Sequence, residues 1–585
     1  MTIIVIDSGV KLSHPCFQND DIESYELKDG SVIRVYDDND SFGHGTAVSY
    51  LISKSLHKQN IEAKIIVVKC FDRLNTTESL IIDALTAVLN KFNADVVNLS
   101  FGITKVSIPE IETLCHEISF KSTIVSSADN TGYFTLPCIL PEVYGVISDS
   151  LCKNQFDYSY IENAPLQIGA FGNTQRVAWI NPDYIYTNGN SYACANASGI
   201  IAGFIYQNGR DNLNNILIKN ASRVNVVPIK ETKTQFFSFE IKKAALFPFN
   251  KEMSSLVLFE DLLNFKITDI YDSAFMGKVG ARTSQILKLP LLNDRIIKNI
   301  NNFDVSSIDT LILGHFNEYL RYPKEIDKIE KMLSLCGNEN INIYSFDSLV
   351  EGENVFTPKI TSDNVPPQIN GGMMYQILSP ILGVYGTSSK QGKFTLQLML
   401  RRELIKRGFN VGQLGSEPQS LLFSFDSVYP MGYNSTVQIS GYDAISYLNS
   451  ELHRIEMKHH TDLIITGSQS STIPFSFGHL NQYTLPNIDF LMGTCPDAVL
   501  LCVNCFDSIS YIRRTISFIE SSVDCKVIAL IVFPVDRRQS FIFHSNTVTN
   551  LDSICSSLQR EFSIPTYILG ENIDSICDTV VDYFQ

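Results

Sequence analysis

Three short motifs in the first 200 residues carry a carboxylate, an imidazole and a hydroxyl, in that order. They read Ile6-Asp7-Ser8-Gly9, Gly43-His44-Gly45-Thr46 and Gly189-Asn190-Ser191-Tyr192-Ala193. When folding brings these groups together, the imidazole removes the hydroxyl proton and the carboxylate orients the imidazole, which makes the serine oxygen a nucleophile. The sequence therefore predicts acyl-transfer chemistry at Ser191, with His44 as general base and Asp7 as its orienting acid.

The segments around the motifs predict the elements that position these groups. Asp7 ends an apolar strand at the start of the chain, so its carboxylate can be buried beside an imidazole. His44 precedes a helix-like run at 46–53. Ser191 precedes a helix of small residues at 193–202, whose N-terminus favours negative charge near the nucleophile. Each motif alone is also typical of an ordinary strand end or loop, and it is their combination that favours an active site.

Two further segments complete the pattern: Val125-Ser126-Ser127-Ala128-Asp129-Asn130-Thr131-Gly132 and Asp95-Val96-Val97-Asn98-Leu99-Ser100-Phe101-Gly102. Together with the three motifs they resemble the subtilisin-like serine peptidases, or subtilases, in which the triad has the chain order Asp, His, Ser. The resemblance implies hydrolysis of peptide bonds and a three-layer α/β fold around a parallel sheet. It also implies that the Asn130 amide binds the oxyanion. The edge formed by Ser100, Phe101 and Gly102 would then pair with an extended substrate.

The chain departs from the subtilase pattern at three places. Asn190 stands where Thr usually precedes the nucleophile, and Ala195-Asn196 stands where Pro-His usually follows it. Asp129 stands where Gly usually precedes the oxyanion-binding Asn. None of these changes removes a catalytic atom. The Asp129 carboxylate, however, opposes a developing oxyanion unless its side chain points away.

Composition indicates the setting in which such a peptidase works. The chain has 585 residues, 44% of them hydrophobic, which is enough core for two to four domains. A net charge of -16 argues against a nucleic-acid partner, and the absence of an 18-residue apolar run argues against a membrane span. The thirteen cysteines lie in apolar runs, and Cys502-Val503-Asn504-Cys505 lacks a second pair, so no metal site is predicted. With no signal-like segment before the first strand, we expect a cytoplasmic protein.

Changes in pattern along the chain predict three α/β domains. Residues 1–225 form the subtilisin-like peptidase domain, and a polar, β-prone stretch containing Thr232-Lys233-Thr234-Gln235 marks the junction that follows. Residues 244–365 alternate apolar strands with amphipathic runs, which predicts a small Rossmann-like domain with a parallel sheet. Residues 366–585 predict a P-loop NTPase-like domain, because their first strand leads into a glycine-bounded loop.

This loop lies between a strand and a helix at 381–407 and reads Gly386-Thr387-Ser388-Ser389-Lys390-Gln391-Gly392-Lys393-Phe394-Thr395. Backbone NH groups and a helix N-terminus in such an arrangement bind phosphate. We therefore predict that Gly386, Gly392 and Lys393 bind ATP or GTP with Mg²⁺. Five residues separate the glycines, where the standard loop has four. Phe394 replaces the usual Ser or Thr, which leaves Thr395 as a displaced hydroxyl.

The loop resembles that of dethiobiotin-synthetase-like P-loop NTPases, and two later runs resemble a P-loop family of uncharacterised function. These runs are Asp462-Leu463-Ile464-Ile465-Thr466-Gly467-Ser468-Gln469-Ser470 and Gly493-Thr494-Cys495-Pro496-Asp497-Ala498-Val499-Leu500. Thr466 stands where that family has a Glu, so the resemblance supports nucleotide binding more than metal-assisted hydrolysis. Asp426 is predicted as the remaining carboxylate for Mg²⁺ or substrate.

These observations predict a cytoplasmic serine endopeptidase with a nucleotide-binding module. We expect it to remove the leader of a ribosomally made precursor peptide, alongside other peptide-maturation proteins. Two alternatives remain open. In one, the subtilase fold is inert and the chain is a regulatory protein that senses nucleotide. In the other, the C-terminal half modifies a peptide with ATP and the peptidase cleaves afterwards.

Overall fold

A ten-stranded sheet forms the centre of the first 230 residues in the computed structural model. The structure describes residues 1–28, 30–71, 76–104, 107–229, 232, 235–367, 372–536, 546–547 and 550–585. The strands of this region are β1 (Thr2–Asp7), β2 (Asp21–Lys28), β3 (Ser31–Val35), β4 (Lys64–Lys69), β5 (Val96–Leu99), β6 (Thr123–Ser127), β7 (Val143–Ser148), β8 (Tyr158–Glu162), β9 (Ile168–Ala170), β10 (Gln175–Ala178), β11 (Tyr184–Thr187) and β12 (Arg223–Val226). The sheet order is β12-β8-β9-β7-β6-β5-β1-β4-β2-β3, and β10 and β11 form a separate antiparallel pair.

Helices cover both faces of this sheet. They are α1 (His44–Lys58), α2 (Glu78–Lys91), α3 (Pro109–Ser119), α4 (Asn190–Asn208) and α5 (Leu213–Asn220). Side chains alternate along a strand. Ile3 and Val5 of β1 therefore pack in one core with α1 and α4. Ile4 and Ile6 point to the other face and pack with α2 and α3. The predicted three-layer arrangement is confirmed.

The small residues of α4 allow it to lie close against α1. A Cβ atom added to Gly199 would lie 2.5 Å from the Ser55 side chain, and one added to Gly203 would lie 1.8 Å from Gln59 Oε1. At Gly199 the obstructing atoms include Ser55 Cβ, which cannot turn aside, so glycine is required there, whereas at Gly203 the obstructing atom is the end of a flexible Gln59 side chain. The close packing joins the two helices that begin at the His44 and Ser191 motifs.

Two parallel sheets follow in the rest of the chain. The first has strands β13 (Lys243–Phe247), β14 (Lys266–Asp272), β15 (Ile297–Asn299), β16 (Thr310–Leu313), β17 (Asn342–Ser345) and β18 (Val355–Phe356), in the order β15-β14-β13-β16-β17-β18. Its helices are α6 (Lys251–Leu258), α7 (Thr283–Leu287) and α8 (Pro323–Asn338). The predicted small α/β domain with a parallel sheet therefore corresponds to a sheet of its own.

The last sheet belongs to the region of the phosphate loop. Its strands are β19 (Ile381–Gly386), β20 (Val411–Gly415), β21 (Ser427–Val428), β22 (Leu463–Gly467), β23 (Ala498–Asn504), β24 (Lys526–Phe533) and, after the short antiparallel pair β25 (Val535–Asp536) and β26 (Asn546–Thr547), β27 (Thr566–Ile568). The helices are α9 (Lys393–Lys406), α10 (Tyr442–His459), α11 (Leu485–Thr494), α12 (Ile509–Ser522), α13 (Leu551–Phe562) and α14 (Ile573–Phe584). The order β21-β20-β22-β19-β23-β24-β27 places β19, which leads into the loop, at the centre of the sheet.

Contacts divide the chain into two units. The first unit is Met1–Lys230 with Pro367–Gln376, and the second unit is Glu231–Pro366 with Ile377–Gln585. The two sheets of the second unit share one core, in which Leu246 and Phe394 belong to the same hydrophobic cluster. The predicted junction at 232–235 lies partly outside the described residues.

The predicted domain boundary at residue 366 does not match the structure, because the segment Pro367–Gln376 belongs to the first unit. Phe134 N donates a hydrogen bond of 3.2 Å to Met374 O, and Met373 packs against a small buried cluster that contains Ala128 and Cys138. Pattern along the chain does not reveal such a contact, which joins residues more than 200 positions apart. Among the described residues, no helix has the length and hydrophobicity that a membrane crossing requires.

Candidate active site

Asp7 and His44 form a hydrogen-bonded pair at the carboxyl end of β1. Asp7 is fully buried, and its Oδ1 lies 2.8 Å from His44 Nδ1 and accepts a hydrogen bond of 2.8 Å from Ser8 N. His44 is the first residue of α1, and 17% of its side chain is exposed. With Nδ1 held by Asp7, the other ring nitrogen, Nε2, is left for proton transfer. The strand end and the helix start that the sequence predicted therefore place the two groups in contact.

Asp40 is a second carboxylate at this site, and sequence reasoning missed it. Its side chain accepts hydrogen bonds from Gly43 N at 2.7 Å, from Thr46 N at 3.0 Å and from the Ser8 hydroxyl at 2.9 Å. These bonds satisfy NH groups at the start of α1 and hold that helix against the loop after β1. An Asp a few residues before a predicted helix is the signal that could have found it.

The pKa of His44 reflects this environment. Burial disfavours the imidazolium, but the charge and hydrogen bond of Asp7, and then the charge of Asp40, outweigh burial and raise the pKa above 6.5. A general base with a raised pKa accepts a proton more readily. Together, the two carboxylates increase the basicity of His44.

Ser191 lies in the first turn of α4, next to a tyrosine that contacts His44. The rings of His44 and the adjacent Tyr192 have centroids 5.5 Å apart. The Ser191 hydroxyl donates a hydrogen bond of 3.1 Å to Ser100 O, so in this rotamer it is directed at the substrate edge and not at His44. Rotation about χ1 redirects such a hydroxyl, and catalytic hydrogen bonds often form only in the substrate complex.

Asn130 presents its amide group at the start of α4. Asn190 N donates to Asn130 Oδ1 at 3.1 Å, which leaves the Nδ2 hydrogens free to point elsewhere. The Asp129 carboxylate accepts from Thr131 N at 2.7 Å and also from the Thr131 hydroxyl. These two bonds hold the carboxylate at Thr131.

Asn190, where subtilases usually have Thr, links the loop that carries Asn130 to the sheet. Its Nδ2 donates to Asp129 O at 2.8 Å, and its Oδ1 accepts from Ser148 N at 2.8 Å. An Asn side chain supplies a donor and an acceptor at once, which a Thr hydroxyl of shorter reach cannot do between these partners. The sequence showed the substitution but gave no sign of its partners.

The edge at 100–102 follows β5 and ends in a narrow space. The Ser100 hydroxyl donates to Asn98 Oδ1 at 2.9 Å, and the Phe101 ring contacts Phe71 with centroids 5.5 Å apart. A Cβ atom added to Gly102 would lie 2.6 Å from Thr135 Oγ1. Sequence reasoning did not identify Thr135, which narrows the space beside this edge.

In the second unit, the phosphate loop connects β19 with α9 as predicted from the sequence. Gly386 ends β19, and Gly392 adopts a left-handed conformation (φ 75°) immediately before α9. Lys393 begins the helix, and its ammonium group donates to Ser388 O at 2.7 Å and to Ser470 O at 2.9 Å. Burial lowers the pKa of Lys393 to about 8. Its charge therefore lies inside the loop, close to the backbone that would hold a phosphate.

Three other residues of the loop region fill or border this space. Gln391 accepts from Ser388 N at 2.9 Å and donates to Thr387 Oγ1 at 2.6 Å, so its side chain occupies the loop. The Thr387 hydroxyl also donates to Asp507, which sequence reasoning missed. Thr395 lies in the first turn of α9 with a partly exposed side chain.

Asp426 does not face the loop. Its carboxylate accepts from Gln413 N at 3.0 Å and lies 2.6 Å from His459 Nε2 at the end of α10. Asp426 directly precedes β21, which is the amino end of a parallel strand, whereas the phosphate loop lies at the carboxyl end of β19. The structure therefore gives Asp426 a role in joining β20 and α10 and not in holding a cation at the loop.

Another cluster of polar side chains lies where the carboxyl ends of the strands of both sheets of the second unit meet. His315 Nδ1 lies 2.6 Å from Asp347 Oδ1, and both side chains are buried. Glu417 lies 3.8 Å from Lys251 and is acted on by the charges of Lys393 and His315, while burial raises its pKa. Ligands of parallel α/β sheets bind at such carboxyl ends. These residues come from distant segments, so no local sequence motif predicted them.

Comparison with known proteins supports the two resemblances inferred from the motifs. Residues 1–224 match a model described as the Subtilase family, and residues 369–519 match the P-loop domain of a domain of unknown function, DUF1611. No curated protein matches the chain.

Several solved structures are similar in part. A DUF1611 family protein from Anabaena variabilis ATCC 29413 is 11% identical, covering 58% of this chain and 99% of its own, with a TM-score of 0.44. The Prenylagaramide maturation protease PagA is 20% identical over 35% of this chain and 75% of its own, with a TM-score of 0.28. A lanthipeptide protease is 17% identical over 38% of this chain and 80% of its own, with a TM-score of 0.31. On the matches to family models, the N-terminal domain of this chain is a subtilase-family domain, and its C-terminal part carries a P-loop domain of the DUF1611 type.

Proposed function

We propose that the first unit is a serine endopeptidase with Ser191 as nucleophile. The Asp7–His44 hydrogen bond of 2.8 Å, together with the raised pKa of His44, is the observation that carries this proposal. When a peptide binds, the Ser191 hydroxyl rotates from Ser100 O to His44 Nε2 and attacks the scissile carbonyl carbon. His44 takes the hydroxyl proton and then passes it to the leaving amine, which releases the C-terminal product and leaves an acyl-enzyme.

The tetrahedral intermediates carry a negative oxygen that needs hydrogen-bond donors. Asn130 Nδ2 and the backbone NH of Ser191 are the donors in our proposal, because Asn190 N already holds the other amide atom of Asn130. Water then attacks the acyl-enzyme, with His44 again acting as base. The Asp129 carboxylate stays with Thr131 and does not oppose the oxyanion.

The substrate that we propose is an extended precursor peptide, from which the enzyme removes a leader. The edge at 100–102 binds backbone as an added strand, and only an unfolded segment offers its backbone in this way. The covalent pairing of a peptidase domain with a P-loop domain supports a dedicated maturation step over general degradation. The thirteen cysteines suit a reducing compartment, and we place the reaction in the cytoplasm.

The peptidase proposal is tested with the purified chain and a fluorophosphonate probe. We expect the probe to label Ser191 and the enzyme to cleave a precursor peptide, with both activities lost in Ser191→Ala. An unlabelled wild-type protein would favour the inert, regulatory alternative. A product that also carries a phosphate, acyl or ring-closure change would favour the modifying-enzyme alternative, and product mass distinguishes the two.

We further propose that the second unit binds ATP or GTP with Mg²⁺ at Gly386–Lys393. The buried Lys393 ammonium inside the strand-loop-helix arrangement is the observation that favours this function. Titration calorimetry with MgATP and MgGTP should show binding that Lys393→Ala abolishes. Lys406→Ala, at the exposed end of the same helix, is the matched control and should bind normally. Equal binding by Lys393→Ala would contradict the proposal.

A further inference from the structure

A cavity of about 300 Å³ lies in the first unit, lined by polar and basic side chains. The residues that define it here are Lys54, Lys58, Lys153, Gln155, Phe156 and Arg176, and we call it the basic cavity. None of the residues that line the cavity carries a carboxylate. Of its four cations, Lys54 is partly buried, whereas Lys58, Lys153 and Arg176 are exposed.

These cations come from three separate segments and repel one another. Lys54 and Lys58 lie four residues apart on α1, where like charges destabilise a helix, and Arg176 belongs to β10. Burial lowers the pKa of Lys54, and the charges of Lys58 and Arg176 lower it further. Among the described residues, none of the four cationic side chains of the cavity forms an ion pair. Asp157, outside the cavity lining, accepts a hydrogen bond of 2.8 Å from Lys153 N, and the charge of Lys153 is one of the causes that lower the pKa of Asp157. The cavity therefore has positive charge without compensation inside it.

Gln155 adds a donor without a partner. Its side chain lines the cavity and is 8% exposed, and its Nε2 has no hydrogen-bond partner in the described part of the chain. A buried amide donor is normally satisfied, because leaving it unpaired is unfavourable. Because Nε2 itself is enclosed, the Gln155 amide must rotate to bring it to an acceptor oxygen in the cavity, and such an acceptor would at the same time reduce the repulsion among the cations.

We propose that the basic cavity binds a small polyphosphate group, as in a nucleoside di- or triphosphate. A polyphosphate brings several negative charges within a few ångströms, which suits four cations around one cavity, and phosphate oxygens accept hydrogen bonds from both ammonium and amide donors. The Lys58 ammonium lies 5.3 Å from the centre of the Phe156 ring, so an apolar surface lies directly beside the charges. A single-charge anion fits this arrangement less well.

The site is distinct from the phosphate loop of the second unit, because every lining residue belongs to the first unit. A bound polyphosphate would connect α1, β10 and the 153–156 segment. Since α1 begins at His44, the ligand would stabilise the helix that carries the general base. The proposal does not depend on either proposed function.

The test uses the full chain with Lys393→Ala, which removes the lysine of the phosphate loop. Inorganic tripolyphosphate is titrated by calorimetry at low ionic strength, where charge interactions are least screened. We expect one saturable site and a higher unfolding temperature with ligand. Adding Lys54→Ala and Lys58→Ala should weaken binding about tenfold or more, since each hydrogen bond to a charged group contributes roughly that factor. The control pair Lys121→Ala and Lys219→Ala removes the same charge from exposed positions of this unit and should leave binding unchanged.

A second variant keeps the proposal testable if the double substitution perturbs folding. Gln155→Met retains the size and all four cations but removes the amide donor, and it should bind tripolyphosphate several-fold more weakly.

Absence of binding, or equal binding by the lysine and control pairs, would overturn the proposal. A glutamate-rich peptide that binds here without competition from tripolyphosphate would also overturn it and assign the cavity to an acidic polypeptide. Tighter binding of ATP than of tripolyphosphate would identify a nucleotide as the ligand.

Discussion

At the scale of single residues, the basicity of His44 depends on two carboxylates, and only one of them touches the imidazole. Asp40 acts through its charge, after Asp7. In the proposed mechanism His44 must be neutral to accept the serine proton, so we expect kcat/KM to rise with pH through the pKa of His44 in the free enzyme. Any change that lowers this pKa moves the acid limb of the profile to lower pH.

Asp40→Asn tests this dependence. Asn keeps an acceptor oxygen for the start of α1 but removes the charge that helps to raise the His44 pKa. We therefore expect the acid limb of kcat/KM to shift to lower pH, together with some loss of stability, because the NH2 group of Asn cannot accept the bond that the second carboxylate oxygen of Asp40 accepts from Thr46 N. The measurement is peptide cleavage over pH 5 to 9, approximately the range in which histidine titrates. If the acid limb of kcat/KM stays in place or moves to higher pH, Asp40 does not raise the pKa of His44.

Asn130→Ala removes the proposed oxyanion donor. Loss of one such donor reduces kcat by about 100 to 1000-fold while KM changes little, because the bond strengthens only in the transition state. Asp129→Gly is the control, since it restores the residue usual in subtilases and should keep activity. A large rise in KM with unchanged kcat in Asn130→Ala would place Asn130 in substrate binding instead.

Lys393 provides a prediction of pH dependence for the second unit. With a pKa of about 8, its ammonium loses its proton as pH rises above this value, and the attraction for phosphate is lost with it. We expect MgATP affinity to fall by roughly up to tenfold per pH unit above pH 8, as expected for one linked proton. The arginine in Lys393→Arg keeps its charge over this range, so the affinity of this variant for MgATP should change little with pH. A wild-type affinity that is constant to pH 10 would contradict this role of Lys393.

At the scale of elements, local sequence patterns were sufficient where an element carries its own functional residue. The strand that ends at Asp7, the helix that begins at His44 and the helix that begins at Lys393 were all expected from hydrophobic pattern and glycine placement. The partners of these elements were not expected. Thr135 and Asp507 reach the two sites from other segments, and their positions depend on how strands and loops pack.

The edge at 100–102 gives an element-scale prediction. Gly102→Ala places a Cβ 2.6 Å from Thr135 Oγ1, so either the edge or the Thr135 loop must move. We expect cleavage of an extended peptide to fall at least several-fold, through KM as well as kcat. In the double variant with Thr135→Gly the obstructing side chain is absent, and activity should recover. Equal loss in the single and double variants would mean that Gly102 is needed for another reason.

At the scale of the whole molecule, three predicted domains correspond to two compact units, because the sheets of the second and third predicted domains lie in one unit. The segment Pro367–Gln376, which the sequence placed in the third domain, belongs to the first unit, where Met373 packs against a cluster that contains Ala128. Met373→Ala removes a partly buried side chain there, and we expect the first unit to lose roughly 1 to 3 kcal/mol in free energy of unfolding, near the lower end for Met→Ala. Denaturant unfolding with Met457→Ala as the exposed control measures the difference. No loss would show that the segment contributes nothing to this unit.

The sequence by itself determined the residue types, their order and the elements that carry them, because these follow from short-range pattern. It was sufficient to predict the subtilase and P-loop domains, both parallel α/β folds. Only the tertiary structure decided where side chains point: Asp129 to Thr131, the Ser191 hydroxyl to Ser100 O, and Asp426 away from the phosphate loop. It also assembled Glu417 with His315 and Asp347, and the cations of the basic cavity. These arrangements join segments that are distant in the chain, and the packing of whole sheets and helices determines their geometry.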